Sequence, residues 1–249
     1  MKQIFYILVV LCSSGIFAQN QTLFEQGNQL YNQGKYAEAI AKYEAILATN
    51  NHSEALYFNL ANAHYKLDHI APSIFYYEKA LMLAPEDQDI KNNLAFAKNM
   101  TIDAIDTVPD AGFSKMIKKI TDIMSFDDWS KVAVGSVIVF VLLILLYYFT
   151  YSTNKKRLAF ITSNLFLFVA AMSLLIAFHK FNLSKKDKPA IVFAQETVIK
   201  SEPNNRSQEL FRLHEGTKVQ ILDTINRWDK IKLADGKTGW IEKEDIKEL

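Results

Sequence analysis

The sequence predicts a multidomain membrane protein in three parts: an all-α N-terminal region of repeated helical hairpins, a two-helix transmembrane hairpin and an all-β small barrel at the C-terminus. Three observations lead there. Identical residues recur at an offset of 34 within residues 20–87. Two apolar runs, 132–151 and 158–178, carry no charge and are each about as long as a bilayer-crossing helix needs to be. After residue 190 the pattern changes to the alternation of half-buried strands.

The 249 residues are 50% hydrophobic and 22% charged with a net charge of +1, but these values average unlike pieces. Residues 19–110 hold 6 Lys+Arg against 12 Asp+Glu, residues 111–189 hold 11 against 4, and residues 190–249 hold 10 against 11. No part has the concentrated basic face of a nucleic-acid binder, so that class is set aside.

Residues 1–18 read as a signal peptide: Lys2, an apolar run over 4–12, then Ser13, Ser14 and Gly15 ahead of Ala18. Cleavage after Ala18 would remove Cys12, the sole cysteine, and with it disulfides, thiol catalysis and cysteine-bound metal. Leu11 stands where a lipidated cysteine needs a small residue before it, so a lipoprotein is not expected.

Asn28 and Asn62, Tyr31 and Tyr65, Ile40 and Ile74, Tyr43 and Tyr77, Glu44 and Glu78, and Leu47 and Leu81 all pair at the 34-residue offset. Gly27 and Ala61 are small where a first helix must approach its partner, as are Ala39 and Ser73 on the second. The expectation is a domain over 19–100, with helix hairpins over 20–53 and 54–87 and a capping helix over 88–100, because such units bury their apolar faces only against neighbours.

This stretch resembles the tetratricopeptide repeat family, through Gly27, Tyr31, Tyr36, Ala39, Tyr43 and Leu47 in the first copy and Tyr57, Leu60, Ala61, Tyr65, Tyr77, Ala80 and Pro85 in the second. The resemblance implies a concave surface, built by the first helices, on which a partner's peptide lies. The matching positions are Phe24, Asn28, Tyr31, Phe58, Asn59, Asn62 and Tyr65. Aromatic faces and side-chain amides suit an extended peptide. The alternative is that the asparagines hold neighbouring turns and the aromatics pack between repeats. The family's carboxylate clamp is not expected, since Phe24, Asp89 and Asn93 occupy its basic positions.

A linker over 101–112 leads to residues 113–128, where Phe113, Met116, Ile117, Ile120, Ile123 and Met124 share a helical face flanked by Lys115, Lys118 and Lys119. That pattern predicts an amphipathic helix lying on membrane lipids, the alternative being a helix docked on the repeat stack. Trp129 and Lys131 precede the first apolar run, Tyr147, Tyr148 and Tyr151 close it, and Phe178, His179 and Lys180 close the second, as at headgroup depth. The loop 152–157 carries Lys155, Lys156 and Arg157, but lysines flank the other ends too, so charge does not set the orientation. The signal peptide does: it makes the loop cytoplasmic and puts both soluble domains in the periplasm, the chain being multi-pass in the bacterial inner (cytoplasmic) membrane. Residues 179–189 read as a basic tether.

In the last part Val219 and Ile221, like Ile231 and Leu233, alternate with polar neighbours, Asp235-Gly236 can turn one strand into the next, and Trp228 and Trp240 supply core bulk. Residues 190–249 resemble the bacterial SH3-type domain in the series Thr197-Val198-Ile199-Lys200-Ser201-Glu202-Pro203, Gly216-Thr217-Lys218-Val219, Trp228 and Asp235-Gly236-Lys237-Thr238-Gly239-Trp240-Ile241. For some members the resemblance implies a cell-wall peptide as ligand. Val198, Ile199 and Lys200 depart from the family's usual asparagine, valine, arginine, which leaves the use of that turn open.

His52, His64, His69, His179 and His214 are scattered, and no phosphate-cradling loop, metal-binding helix motif or nucleophile elbow occurs. The sequence therefore predicts no enzyme, no cofactor and no metal site, and function carried by surfaces. The order of segments as a whole resembles the BatE-type proteins of the Bacteroides aerotolerance operon. That resemblance implies a non-enzymatic protein–protein adaptor, associated with membrane-anchored von Willebrand A-domain Bat proteins and a MoxR-type ATPase and linked to aerotolerance or envelope stress. A peptidoglycan-binding tether or sensor using the barrel is the other reading left open.

Overall fold

The computed structural model describes residues 19–105, 112, 119–121 and 123–249, in two compact units: the repeats with the barrel, and the two long apolar helices. The expected signal peptide lies outside the described residues.

In the first unit, α1 (19–32), α2 (Tyr36–Leu47), α3 (Glu54–Tyr65) and α4 (Ile70–Leu83) make two hairpins, followed by α5 (Gln88–Lys98). The repeat extends to the backbone: the turn inside each hairpin has a left-handed residue, Gly34 (φ 76) and Asp68 (φ 57), 34 apart. Ser53 caps α3 by accepting from the Leu56 N–H, and Asp87 caps α5 by accepting from those of Asp89 and Ile90. Gly27 fits its role closely, since a Cβ there would overlap the Tyr43 ring. Ala39 and Ser73 are fully packed, and the Ser73 hydroxyl donates to the Ala61 carbonyl at 3.2 Å.

The barrel comprises β1 (Pro189–Val192), β2 (Glu196–Lys200), β3 (Glu209–His214), β4 (Lys218–Ile225), β5 (Trp228–Lys232), β6 (Thr238–Glu242) and β7 (Ile246–Glu248). All pairings are antiparallel, in the order β3-β2-β6-β5-β4-β1-β7. The alternating residues Val219, Ile221, Ile231 and Leu233 are buried together with Ile199, Leu213 and Ile241. Trp228 and Trp240 are buried as well.

Two domains separated by some ninety residues of sequence are here one body. Ile191 of β1 belongs to the core cluster of the second repeat, with Phe193 and Leu249 packed against it. The Phe193 ring meets Phe75 of α4 edge-on at 5.6 Å, and the Lys247 ammonium sits 4.7 Å from the centre of the Phe75 ring. Gly216, at φ +85, lies so close to Ile70, Ile74 and Thr101 that a Cβ would come within 2.9 Å of each. Two carboxylates fasten the rim. Asp103 accepts from the His214 N–H (2.7 Å) and the Thr217 hydroxyl (2.6 Å) and pairs with His214 Nδ1 (2.8 Å). Glu78, only 5% exposed, lies 2.7 Å from Lys218 Nζ and 2.9 Å from Lys98 Nζ. Burial alone would raise the Glu78 carboxyl, but the two ammonium groups hold it below its ordinary value.

In the second unit, α6 (Phe126–Phe149) and α7 (Thr153–Lys186) are both long and apolar enough to cross a membrane. Their contact seam is small: Ala133 and Ser136 on α6, and Ala159, Ser163, Ala170, Ser173 and Ala177 on α7, are buried, whereas large residues such as Val134, Leu142, Phe160, Phe168 and Leu175 point outward. Small residues let the helix backbones approach, which is how helices pack where lipid rather than water surrounds them.

Three boundaries differ from the sequence reading. The connection between the helices is only 150–152, with Lys155, Lys156 and Arg157 inside α7. The expected tether is helical through Lys186, because no glycine or proline interrupts the chain before Pro189. The expected helix over 113–128 does not run unbroken: 119–121 are helical, but Ile123 and Met124 turn and Ser125 caps α6, its hydroxyl accepting from the Asp128 N–H. Residues 113–118 lie outside the described residues. Trp129 and Lys180 clasp this turn, both donating to the Thr121 carbonyl, at 3.1 and 2.9 Å.

Candidate functional site

The seven groove positions are all half-buried. Their arrangement is a ladder repeated with the 34-residue period. Asn28 Oδ1 accepts from the Tyr43 hydroxyl (2.7 Å) and from Asn59 Nδ2 (2.9 Å). One repeat later Asn62 Oδ1 accepts from the Tyr77 hydroxyl and from Asn93 Nδ2 (3.1 Å). Phe24 and Phe58 lean on the same tyrosines, with ring centres 5.9 and 6.0 Å apart. Burial pushes the Tyr43 hydroxyl up to about 12 and raises that of Tyr77, so both remain neutral donors.

The asparagines are braces within the stack: each ties its own second helix to the first helix of the next unit. Their oxygens are committed inward, while Nδ2 of Asn28 and of Asn62 makes no hydrogen bond among the described residues. Sequence reasoning missed the roles of Tyr43, Tyr77 and Asn93. The signal was present, since the separations of 15 and 31 residues recur in both copies.

A pocket of about 180 Å³ opens where α1, α3 and α5 meet, lined by Tyr31, Asn62, Tyr65, Lys66, Tyr77, Asn93 and Phe96. It joins three of the expected residues to four unforeseen ones. Phe24, Asn28, Phe58 and Asn59 lie outside it, although Asn28 and Asn59 stay hydrogen-bonded to each other. Phe96 is 59% exposed, an apolar ring held in the open.

The barrel has a larger hollow of about 500 Å³, lined by Glu196, Val198, Lys200, Arg212, Trp228 and Glu242 among others. Arg212 is fixed across it by Glu196 (2.7 Å) and Glu209 (2.8 Å). The hollow lies on β2, β3, β5 and β6, not on the strands β1 and β7 that meet the repeats. Among the described residues no three His, Cys, Asp or Glu side chains gather where a metal ion could be held.

A grooved repeat stack joined to a small antiparallel barrel defines a protein built from interaction modules. Residues 30–91 match the family model of the tetratricopeptide repeat, and residues 197–247 that of the bacterial SH3 domain. Both are module types generally used for protein interaction or peptidoglycan binding. No curated protein matches the chain.

Proposed function

We propose that the chain is a non-enzymatic adaptor of a bacterial envelope complex, held in the cytoplasmic membrane by α6 and α7, whose repeat groove grips an extended segment of a partner membrane protein. The observation that carries this reading is the groove, where an internally braced ladder presents amide donors, half-buried tyrosines and the exposed Phe96 ring. Preformed surfaces of this kind bind without first ordering their own side chains. The seal between repeats and barrel supports placing both on one side of the membrane, since an even number of spans returns the chain to the side it left, and the signal-peptide pattern of residues 1–18 favours the periplasm as that side. Two interaction modules flanking two apolar helices also fit a BatE-type role, with von Willebrand A-domain proteins and a MoxR-type ATPase as the assembly it joins, in aerotolerance or envelope stress.

Asn28→Ala or Asn62→Ala is a poor test, since it strands the buried hydroxyl of Tyr43 or Tyr77 at a cost of about 1–3 kcal/mol. Phe96→Ala with Lys66→Glu leaves the ladder intact. In a pull-down of the full chain from native membranes, the double variant is expected to lose co-purifying membrane proteins while keeping the wild-type melting transition. Unchanged capture by the folded variant would remove the groove as docking surface.

The open barrel hollow favours a second reading, peptidoglycan binding. Saturable co-sedimentation of the solubilised chain with purified cell wall, lost on Arg212→Glu, would establish it; no sedimentation would leave the adaptor alone.

A further inference from the structure

Between Leu158 and Phe178 the fully exposed residues of α7 are apolar but for one. Asn164 is exposed there, seven residues beyond Arg157 and sixteen before Lys180, or about 10 and 24 Å along a helix axis. If α7 crosses a bilayer, as proposed above, those two charges mark its ends and Asn164 lies well inside the hydrocarbon. Its neighbours satisfy themselves or hide. The Thr162 hydroxyl donates to the Leu158 carbonyl at 2.8 Å, the Ser163 hydroxyl donates to the Phe160 carbonyl at 2.8 Å, and Ser163 is buried in the seam with α6. Asn164 Nδ2 likewise donates to the Phe160 carbonyl, at 2.8 Å. Its Oδ1 cannot be satisfied in the same way, because the backbone N–H groups of a continuous helix are already spent within it. An amide oxygen facing lipid is costly, and such groups characteristically bond to another helix.

We propose that Asn164 marks a self-association face: α7 of one chain packs against α7 of a second copy around a pair of Asn164 amides. The amide carries its own complement, a donor and an acceptor, so a two-fold axis through the pair satisfies both copies, as an isologous contact requires. The surrounding side chains suit the contact. Ile161, Leu165, Phe168, Met172 and Leu175 are all exposed and follow one another at spacings of four and three, a continuous seam on a different side of α7 from the small-residue seam.

The test uses full-length chain in liposomes, one population labelled with a donor fluorophore and one with an acceptor on exposed barrel residues, and energy transfer followed as lipid is added. Wild type is expected to associate, Asn164→Leu to dissociate at about 5- to 30-fold lower dilution, and Asn164→Gln to restore much of the transfer. Equal association of wild type and Asn164→Leu would overturn the proposal, as would a wild type that stays monomeric at every lipid ratio. Flotation of the same samples separates the two layers of argument. Protein that floats with the vesicles but does not pair refutes only the self-association face; protein that fails to float refutes the membrane reading and this contact with it.

Discussion

The two repeats are built on one 34-residue pattern, yet their second helices meet different surroundings. Glu44 on α2 is exposed, whereas its equivalent Glu78 on α4 is buried between Lys218 and Lys98. The neighbouring position is Ala41 in the first copy and Phe75 in the second, and Phe75 packs against the barrel. A third pair, on the first helices, is Leu30 and His64, the latter 8% exposed, stacked on Tyr76 and facing His69. What the copies share builds the hairpins and the groove; the junction puts shared positions such as Glu78 and Ile74 to a second use and adds residues the first copy lacks, Phe75 foremost. A divergent aromatic at an equivalent position therefore marks where this repeat has been fitted to something outside the array.

The sharpest way to break the contrast is Phe75→Ala, which removes a ring buried both in the repeat core and against Phe193. It is expected to cost about 3–5 kcal/mol in urea unfolding of the full chain, whereas Ala41→Ser, on the open face, should stay within about 0.5 kcal/mol. A smaller difference is expected between the two glutamates. Glu78→Ala should cost about 1–3 kcal/mol, the lysines remaining half-exposed and partly solvated, and Glu44→Ala close to nothing.

The contrast also carries a pH signature. Burial lowers His64 from 6.5 to about 4, helped by His69 and by Lys247 from the barrel. The unfolded chain then binds the proton more readily, so His64 contributes stability above pH 6.5 that is lost progressively as pH falls towards 4. Glu78 and Asp103, both held below their ordinary values against the opposing effect of burial, contribute stability that is lost only at lower pH, as it falls through their depressed values. His64→Leu, which copies Leu30 of the first repeat, should flatten the unfolding midpoint between pH 6.5 and 4 and leave the steeper acid loss in place. A midpoint that still falls between 6.5 and 4 in that variant would assign the effect elsewhere.

Most of the fold was legible because it is periodic. The 34-residue offset located the hairpins, two uncharged runs located the long helices, and alternation at Val219–Ile221 and Ile231–Leu233 located the barrel core. The groove was legible as a set of positions but not as a mechanism, since Asn28 and Asn62 read equally as ligand contacts or as holders of neighbouring turns, and their role as braces follows only from the Tyr43 and Tyr77 hydroxyls that donate to them. The junction was not legible. His214 and Asp103 are 111 residues apart and Lys218 and Glu78 are 140 apart, and pairings at that range leave no spacing to read. The one local hint was an unmatched aromatic, Phe75, on a helix whose copy has alanine.

The central claim is that repeats and barrel form one body on one side of a two-span hairpin. It is tested most directly by single cysteines at Glu44, Thr153 and Arg206, on a Cys12→Ser background, exposed to a membrane-impermeant thiol reagent on intact spheroplasts. Labelling is expected at 44 and 206 and not at 153. Labelling at 44 without 206, or at 206 without 44, would place the two domains on opposite sides of the membrane and contradict the account.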